Sequence, residues 1–406
     1  MFHMRRREFL QLAALAAVNS ASPAQPGRKR IAAVSSTYFL RSHSDDLITR
    51  DLEGYWIGEK FYKPPVDIVS LYLDQVHPAD LAHKLSMSYG FPIKKTIEDA
   101  LTLGTGKLAV DAVLMVCEHG EYPFNDKQQQ LYPRFEFFSQ VVDVFKKSGR
   151  SVPVYCDKAL SYDWGKAKQM YDWSRELKFP LMAGSSVSVT FRRPEVDVPL
   201  DSEFQDALAV GNGWVTDGGV FHNLEVLQCF AERRKGGETG VRAVHHLQGD
   251  EVWRAAEQGL WSKDLMSSAL SRAQRLGKGR PEDVKNPVLG LVEYNDGFRG
   301  GVLMLPELVN EYLAAFRVKE RQAIQSTLLY IPAENSNNFS QLIHGVNQMF
   351  TTGTRPYPVE RTLLTTGVDS YLMESAFQGH KRIETPMLKV AYRGPKESFY
   401  SHGMGS

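Results

Sequence analysis

Two side chains in this 406-residue sequence stand where they could do chemistry together. The first is Lys158. Residues 152–155 are a short apolar run, Cys156-Asp157-Lys158-Ala159 follows, and from Tyr162 onward Trp164, Ala167, Met170, Tyr171 and Leu177 recur at helical spacing. Residues 179–183 form a second short apolar run. Strand, polar turn, helix and strand predict two parallel strands, with Lys158 at the carboxyl end of the first, facing the crevice where doubly wound sheets bind ligands. The second is His222, in the stretch WVTDGGVFHNLE (214–225), which leads into a predicted helix over 224–233. Histidine is the natural proton carrier near neutral pH. The plainer alternatives are a solvated loop lysine and a histidine that merely opens a helix.

The elements that would position them follow a βαβ rhythm. Residues 30–36 and 66–73 read as the first two strands, and Asp74 ends the second. An acid there suits a ribose 2′-hydroxyl and favours NAD over NADP, although the same residue serves equally as a polar strand cap. The long connection between these strands implies an insertion around 54–65. Helices are predicted over 78–89, ending at Gly90, and over 96–103. A short strand is predicted at 91–93, and a fourth apolar strand at 110–116 ends in Cys117-Glu118-His119. A helix over 135–147 returns the chain to the strand before Lys158. Beyond Gly184 the rhythm stops. Residues 241–248, 288–294, 298–305 and 325–332 read as strands, the middle pair joined by Asn295-Asp296-Gly297, a hairpin signal. A helix over 362–378 follows the turn at 353–361.

Composition bounds the partners. With 43% hydrophobic and 23% charged residues the chain is long enough for two domains, and a net charge of +1 implies neither a nucleic acid nor a membrane surface as partner. Arg5-Arg6-Arg7-Glu8-Phe9-Leu10 leads into the apolar run 12–18 and a Ser-, Ala- and Pro-rich stretch, the pattern of a twin-arginine export signal and an extracytoplasmic or periplasmic destination. That run is too short to span a bilayer as a mature helix. Cys117, Cys156 and Cys229 are too few and scattered for a disulfide framework, although such a compartment would permit one pair; Cys117 and Cys156, in predicted strands or strand ends, are expected to pack. His245 and His246 alternate along a strand and cannot chelate one ion together; no other His, Cys or Asp cluster has metal spacing, so no metal is expected.

VYCDKALS, then a helix, then FPLMAGSS resembles the segment of the glucose-fructose oxidoreductase/inositol dehydrogenase family (Gfo/Idh/MocA) in which a strand ends in Glu-Lys-Pro. Asp157 takes the place of Glu, Lys158 matches the lysine and Ala159 replaces Pro. The resemblance runs from Arg30 to about Tyr392. It implies an N-terminal Rossmann-type parallel domain (28–183, after a signal and linker at 1–27) and a C-terminal α+β domain (184–406) on a largely antiparallel sheet. It also implies NAD or NADP as cofactor, a sugar or polyol substrate, and self-association through an open face of the second sheet. The family's glycine-rich turn falls on Ser35, Thr37 and Leu40, aligned on His43, so every glycine is replaced; Ser35 and Thr37 are small enough for a close turn, whereas Leu40 would push the helix from the strand. Ser35, Thr37, Asp74, Glu118 and Asp157 are thereby the candidate cofactor contacts. His222 and Glu225 match the H-x-x-acid part of a family motif whose histidine exchanges a proton with the substrate hydroxyl. Asp217 stands one residue further from His222 than the motif has it, and Asp217 and Glu225 are the candidate substrate contacts.

Two functions remain open on these grounds. One is an exported NAD(P)-dependent oxidoreductase acting on a sugar or polyol, alone or within a lyase or glycosidase cycle. The other is a cofactor-free carbohydrate-binding protein on the same scaffold, for which the missing glycines and the altered Asp-Lys-Ala are the argument.

Overall fold

The computed structural model describes residues 27–211, 217–319, 321–332 and 336–403. The candidate export signal and residues 214–216 of the His222 stretch lie outside them. Strands are numbered in chain order through the two large sheets. The first sheet comprises β1 Lys29–Ser35, β2 Val66–Leu73, β3 Ile93–Lys94, β4 Ala112–Val116, β5 Val154–Asp157 and β6 Leu181–Gly184, all parallel, in the order β3-β2-β1-β4-β5-β6. Strands β4, β5 and β6 are buried at every residue, which is why they are short apolar runs without polar alternation. The strand order reverses between β1 and β4, so a crevice opens there at the carboxyl ends.

Local signals set the connections. Gly90 ends the helix Ala82–Tyr89 in the left-handed region, φ 75°. The side chains of Thr96 and Asp163 cap the helices Ile97–Thr102 and Trp164–Glu176, accepting the N–H groups of Asp99 and Lys166 at 3.0 and 2.9 Å. The connection from β1 to β2 departs from the pattern: a five-residue π-turn, Asp45–Thr49, runs into the short helix Arg50–Glu53 and then a hairpin of Tyr55–Ile57 against Lys60–Tyr62. This hairpin is the insertion inferred from the strand spacing. So short a helix leaves the sheet face bare, and the helix Asn338–Thr352, for which the sequence reading has no counterpart, covers it. Its Phe339, Leu342, Ile343 and Val346 pack with Ile31, Ala33, Tyr38 and Leu47.

The second sheet has eight strands, β7 Phe191–Arg193, β8 Phe204–Gly211, β9 Val241–Gln248, β10 Val288–Tyr294, β11 Arg299–Met304, β12 Tyr312–Val318, β13 Gln325–Tyr330 and β14 Ile383–Glu384, in the order β14-β9-β10-β11-β8-β12-β13-β7. All neighbours are antiparallel except β8 and β11. The Asn-Asp-Gly hairpin forms as expected, with Gly297 at φ 88° and the Tyr294 N–H on the Phe298 carbonyl at 2.9 Å. The helices Asp217–Ala231 and Val359–Phe377 lie on the inner face, between the sheets. The outer face is not open, contrary to expectation. The helices Asp250–Glu257 and Lys263–Leu270 cover it, burying Val252, Ala255, Leu265 and Met266 against Leu208, Leu289, Leu291 and Leu303. Along β10, Val288 and Val292 face the inner core while Leu289 and Leu291 face the outer one. A strand apolar on both sides needs two covers.

Candidate active site

Two strand ends turn sharply into the crevice. His119, just past β4, and Lys158, just past β5, adopt left-handed backbone at φ 69° and 62°, a conformation that costs an L-residue roughly 1–2 kcal/mol. Strain of this kind gathers at functional sites. The turn at Lys158 is locked by an isolated bridge, with the Gly184 N–H on the Lys158 carbonyl at 3.0 Å.

Lys158 is only 8% exposed and its Nζ donates to Glu118 Oε1 at 2.7 Å. The other carboxylate oxygen of Glu118 is paired with Arg134, the first residue of the helix Arg134–Ser148. Burial alone would raise the Glu118 carboxyl, but Lys158 and then Arg134 outweigh it and hold the group well below the usual carboxylate range. The ammonium is therefore held by an acid whose ionised form the two cations favour and whose position the second cation fixes. Glu118, Tyr132, Arg134, Lys158, Asp217 and Asp369 line a cleft of about 20 Å³, space for little more than one water or one hydroxyl group. A Cβ on Gly218 would sit 3.5 Å from Lys158 Nζ, so the start of the helix Asp217–Ala231 closes over the ammonium.

His222 lies one turn further along that helix. Its Nδ1 is 2.6 Å from Ser185 Oγ, one residue beyond β6, and its ring packs edge-on to Tyr312. Burial, and next the charge of Lys158, hold the imidazole well below its ordinary range. Lys158 thus follows a strand of the first sheet and His222 lies on the helix Asp217–Ala231, near enough for the Lys158 charge to act on the imidazole.

The acidic residues expected to touch ligand divide between the cleft and its supports. Asp217 lines the cleft; its Oδ1 accepts its neighbour Gly218's N–H at 2.8 Å, and burial raises its carboxyl. Glu225 is fully buried, Oε1 accepting from Thr365 Oγ1 at 2.7 Å and Oε2 from the Ser185 N–H at 3.4 Å. It ties Ser185 to the helix Val359–Phe377 and positions the loop that holds His222, so direct contact with substrate gives way to a positioning role. Asp157, 1% exposed, is bonded through Oδ2 to His43 Nδ1 at 2.6 Å and through Oδ1 to the Tyr155 hydroxyl at 3.4 Å. It is an internal strut between the β1 turn and β5 and has no face for a cofactor. Arg134 and Asp369 escape the sequence reading. For Asp369 a signal exists: Thr362, Thr365, Thr366 and Asp369 recur at helical spacing within an otherwise apolar segment, and these four side chains are buried.

A dinucleotide would lie across the ends of β1, β2 and β4 in a fold of this kind. At its outer end the residues fit. Asp74 is exposed just past β2, its oxygens held by the hydroxyls of Tyr72 at 2.9 Å and Tyr122 at 2.7 Å, partners a ribose hydroxyl resembles. At the inner end the Lys158 ammonium fits a reacting oxygen beside a nicotinamide. The phosphate turn is built differently. Ser35 and Thr37 are 0% and 2% exposed, and Ser35 Oγ donates to the Thr37 carbonyl at 2.9 Å, so neither presents itself to a phosphate. The Phe39 and Asp45 N–H groups are taken by Ser42 Oγ, at 3.1 and 3.3 Å, and the Arg41 N–H by Asp45 Oδ2, at 2.9 Å. Leu40 does not separate helix from strand; it is 69% exposed at the tip of the turn. Phe39 instead stacks on His77, ring centres 4.2 Å apart, and meets His119 edge-on.

No protein-family model matches the chain and no curated protein matches its sequence. Solved structures do share its fold. Myo-inositol 2-dehydrogenase from Lactobacillus plantarum is 10% identical, with a TM-score of 0.51 over 88% of this chain and 99% of that one. A myo-inositol dehydrogenase from Corynebacterium glutamicum ATCC 13032 is 8% identical, with a TM-score of 0.52 over 88% and 98%. GenD2 from gentamicin A biosynthesis, in complex with NAD, is 14% identical, with a TM-score of 0.54 over 88% and 96%. A parallel Rossmann-like domain joined to a mostly antiparallel sheet is the architecture that this chain has in common with these structures.

Proposed function

We propose that the chain is an exported NAD(P)-dependent oxidoreductase that acts at a hydroxyl-bearing carbon of a sugar or polyol. The observation that carries this reading is the Lys158 ammonium, buried at the switch-point crevice and fixed by Glu118 and Arg134. A cation so placed polarises a substrate oxygen and stabilises the alkoxide that forms as its proton leaves. Asp217, at the start of its helix, lines the same cleft and would help to orient that hydroxyl. The shared fold with NAD-bound GenD2 and with inositol dehydrogenases supports a nicotinamide dinucleotide in the crevice, which supplies the hydride acceptor when bound. Asp74 favours NAD. The Arg5–Leu10 pattern with its apolar run supports export.

The self-bonded turn after β1 favours a second reading, a carbohydrate-binding protein without a dinucleotide. One experiment separates the two. Protein purified from the cytoplasm is denatured and the supernatant assayed for released NAD or NADP, and the native protein is tested for nicotinamide absorbance change with a panel of sugars and polyols. Released dinucleotide together with turnover supports the oxidoreductase. Sugar binding by calorimetry without dinucleotide affinity overturns it in favour of the second reading.

A further inference from the structure

Proton removal from a bound hydroxyl needs an acceptor, and among the described residues His222 is not one of the side chains that line the Lys158 cleft. Its Nδ1 is 2.6 Å from Ser185 Oγ, which also accepts the Val187 N–H at 3.0 Å.

We infer that Asp369 is the group that takes the hydroxyl proton. It lies on the helix Val359–Phe377, is 4% exposed, and lines the same small cleft as Lys158. Its Oδ1 has no hydrogen-bond partner among the described residues. A buried carboxyl oxygen left unpaired is costly, and a ligand hydroxyl in the cleft is the partner that would satisfy it. The charged and titratable groups around it are Asp217 from the neighbouring helix, Lys158 and Glu118 from the ends of β5 and β4, Arg134, and the phenols of Tyr132 and Tyr162. Burial, and then Asp217, raise the Asp369 carboxyl well above its ordinary range, while Lys158 and Arg134 pull the other way. In the step itself the substrate O–H bond breaks, the proton bonds to a carboxylate oxygen of Asp369, and the electron pair stays on the substrate oxygen beside Lys158 Nζ. The assignment rests on reading the crevice as a site of hydroxyl oxidation.

The test has one arm that needs no turnover. Infrared spectra of the ligand-free full chain, titrated in pH, are subtracted between wild type and Asp369→Asn. A protonated-carboxyl band that persists above the pH where ordinary aspartates ionise and disappears in Asp369→Asn is expected, and glucose, myo-inositol or sorbitol should shift it without added dinucleotide. The second arm is NAD(P)-linked polyol oxidation. Asp369→Asn should lose roughly 10²–10⁴-fold in turnover and lose the acid limb of the pH profile, with dinucleotide affinity and melting temperature at pH 5 retained as evidence of folding. Identical infrared spectra in the two proteins, or unchanged turnover and pH profile in Asp369→Asn, would overturn the inference. If wild type turns over none of the polyols, the oxidoreductase reading falls, and an infrared band indifferent to all three polyols then overturns the role of Asp369 as well.

Discussion

Lys158 Nζ and Glu118 Oε1 meet at 2.7 Å across the ends of adjacent parallel strands, and Arg134 holds the far side of the same carboxylate. Lys158→Ala should lower polyol turnover by roughly 10²-fold or more, since it removes the charge that stabilises a developing alkoxide in a dry cleft. Lys158→Arg should not restore it, because a planar guanidinium cannot take the place of a compact ammonium. Steady-state kinetics on any accepted polyol decides the matter, and near-wild-type turnover in Lys158→Ala would remove the lysine from the site. Glu118→Ala leaves two buried cations without their shared partner and should destabilise the fold by about 3–5 kcal/mol in urea unfolding.

Cofactor choice turns on Asp74. With its carboxylate gone, Asp74→Ala should weaken NAD more than NADP, because the ribose hydroxyl loses an acceptor while a 2′-phosphate loses a repelling charge. Fluorescence titration of both nucleotides provides the comparison. Equal losses would leave Asp74 as a cap for Tyr72 and Tyr122 alone.

Asp51 gives a pH dependence with a definite sign. It is 3% exposed, Oδ1 accepts from Asn347 Nδ2 at 2.7 Å, and Oδ2 and Asn347 Oδ1 both lack partners among the described residues. A protonated Asp51 can complete that pair. Burial raises its pKa to about 7, against the hydrogen bond from Asn347, whereas an unfolded aspartate titrates near ~3.9. A raised acid favours the unfolded state once that state ionises, so its stabilising effect is full below about pH 4, declines up to about pH 7 and is then level. Asp51→Asn mimics the protonated form, so it should raise the melting temperature at pH 8 and leave it nearly unchanged at pH 4. An equal effect at both pH values would show that Asp51 is ionised in the fold.

The export proposal is tested at Arg6 and Arg7. Replacing both by Lys should leave precursor in the cytoplasm, followed by fractionation and immunoblotting. Undiminished mature protein outside the cytoplasm would refute it.

Much of the scaffold was legible because its signals are local. Strands β2, β9 and β10 fall on the apolar runs 66–73, 241–248 and 288–294 without adjustment, and the caps at Thr96 and Asp163 and the turn at Gly297 do what their side chains dictate. The crevice was located by the same reasoning, since a polar residue following a buried parallel strand must emerge at its carboxyl end. What could not be read was long-range. Nothing near Asp157 in sequence announces His43, 114 residues away, and Arg134 looks like any basic residue opening a helix until Glu118 is seen beside it. The helix Asn338–Thr352 becomes necessary only once the β1–β2 connection proves too short to cover its sheet. The run VLGLV in β10, by contrast, did carry an unread message: with no polar side chain on either face, that strand could never have bordered an open surface.

The cover over the outer face of the second sheet has a consequence for dilution. Where a partner chain shields an apolar sheet, the shielding follows mass action and is lost as the protein becomes scarce. Here Val252, Leu265 and Met266 are tethered to the strands they shield, and a tether holds its partner at a local concentration that no change in bulk abundance can alter. A chain diluted into a large volume keeps this face dry at any copy number.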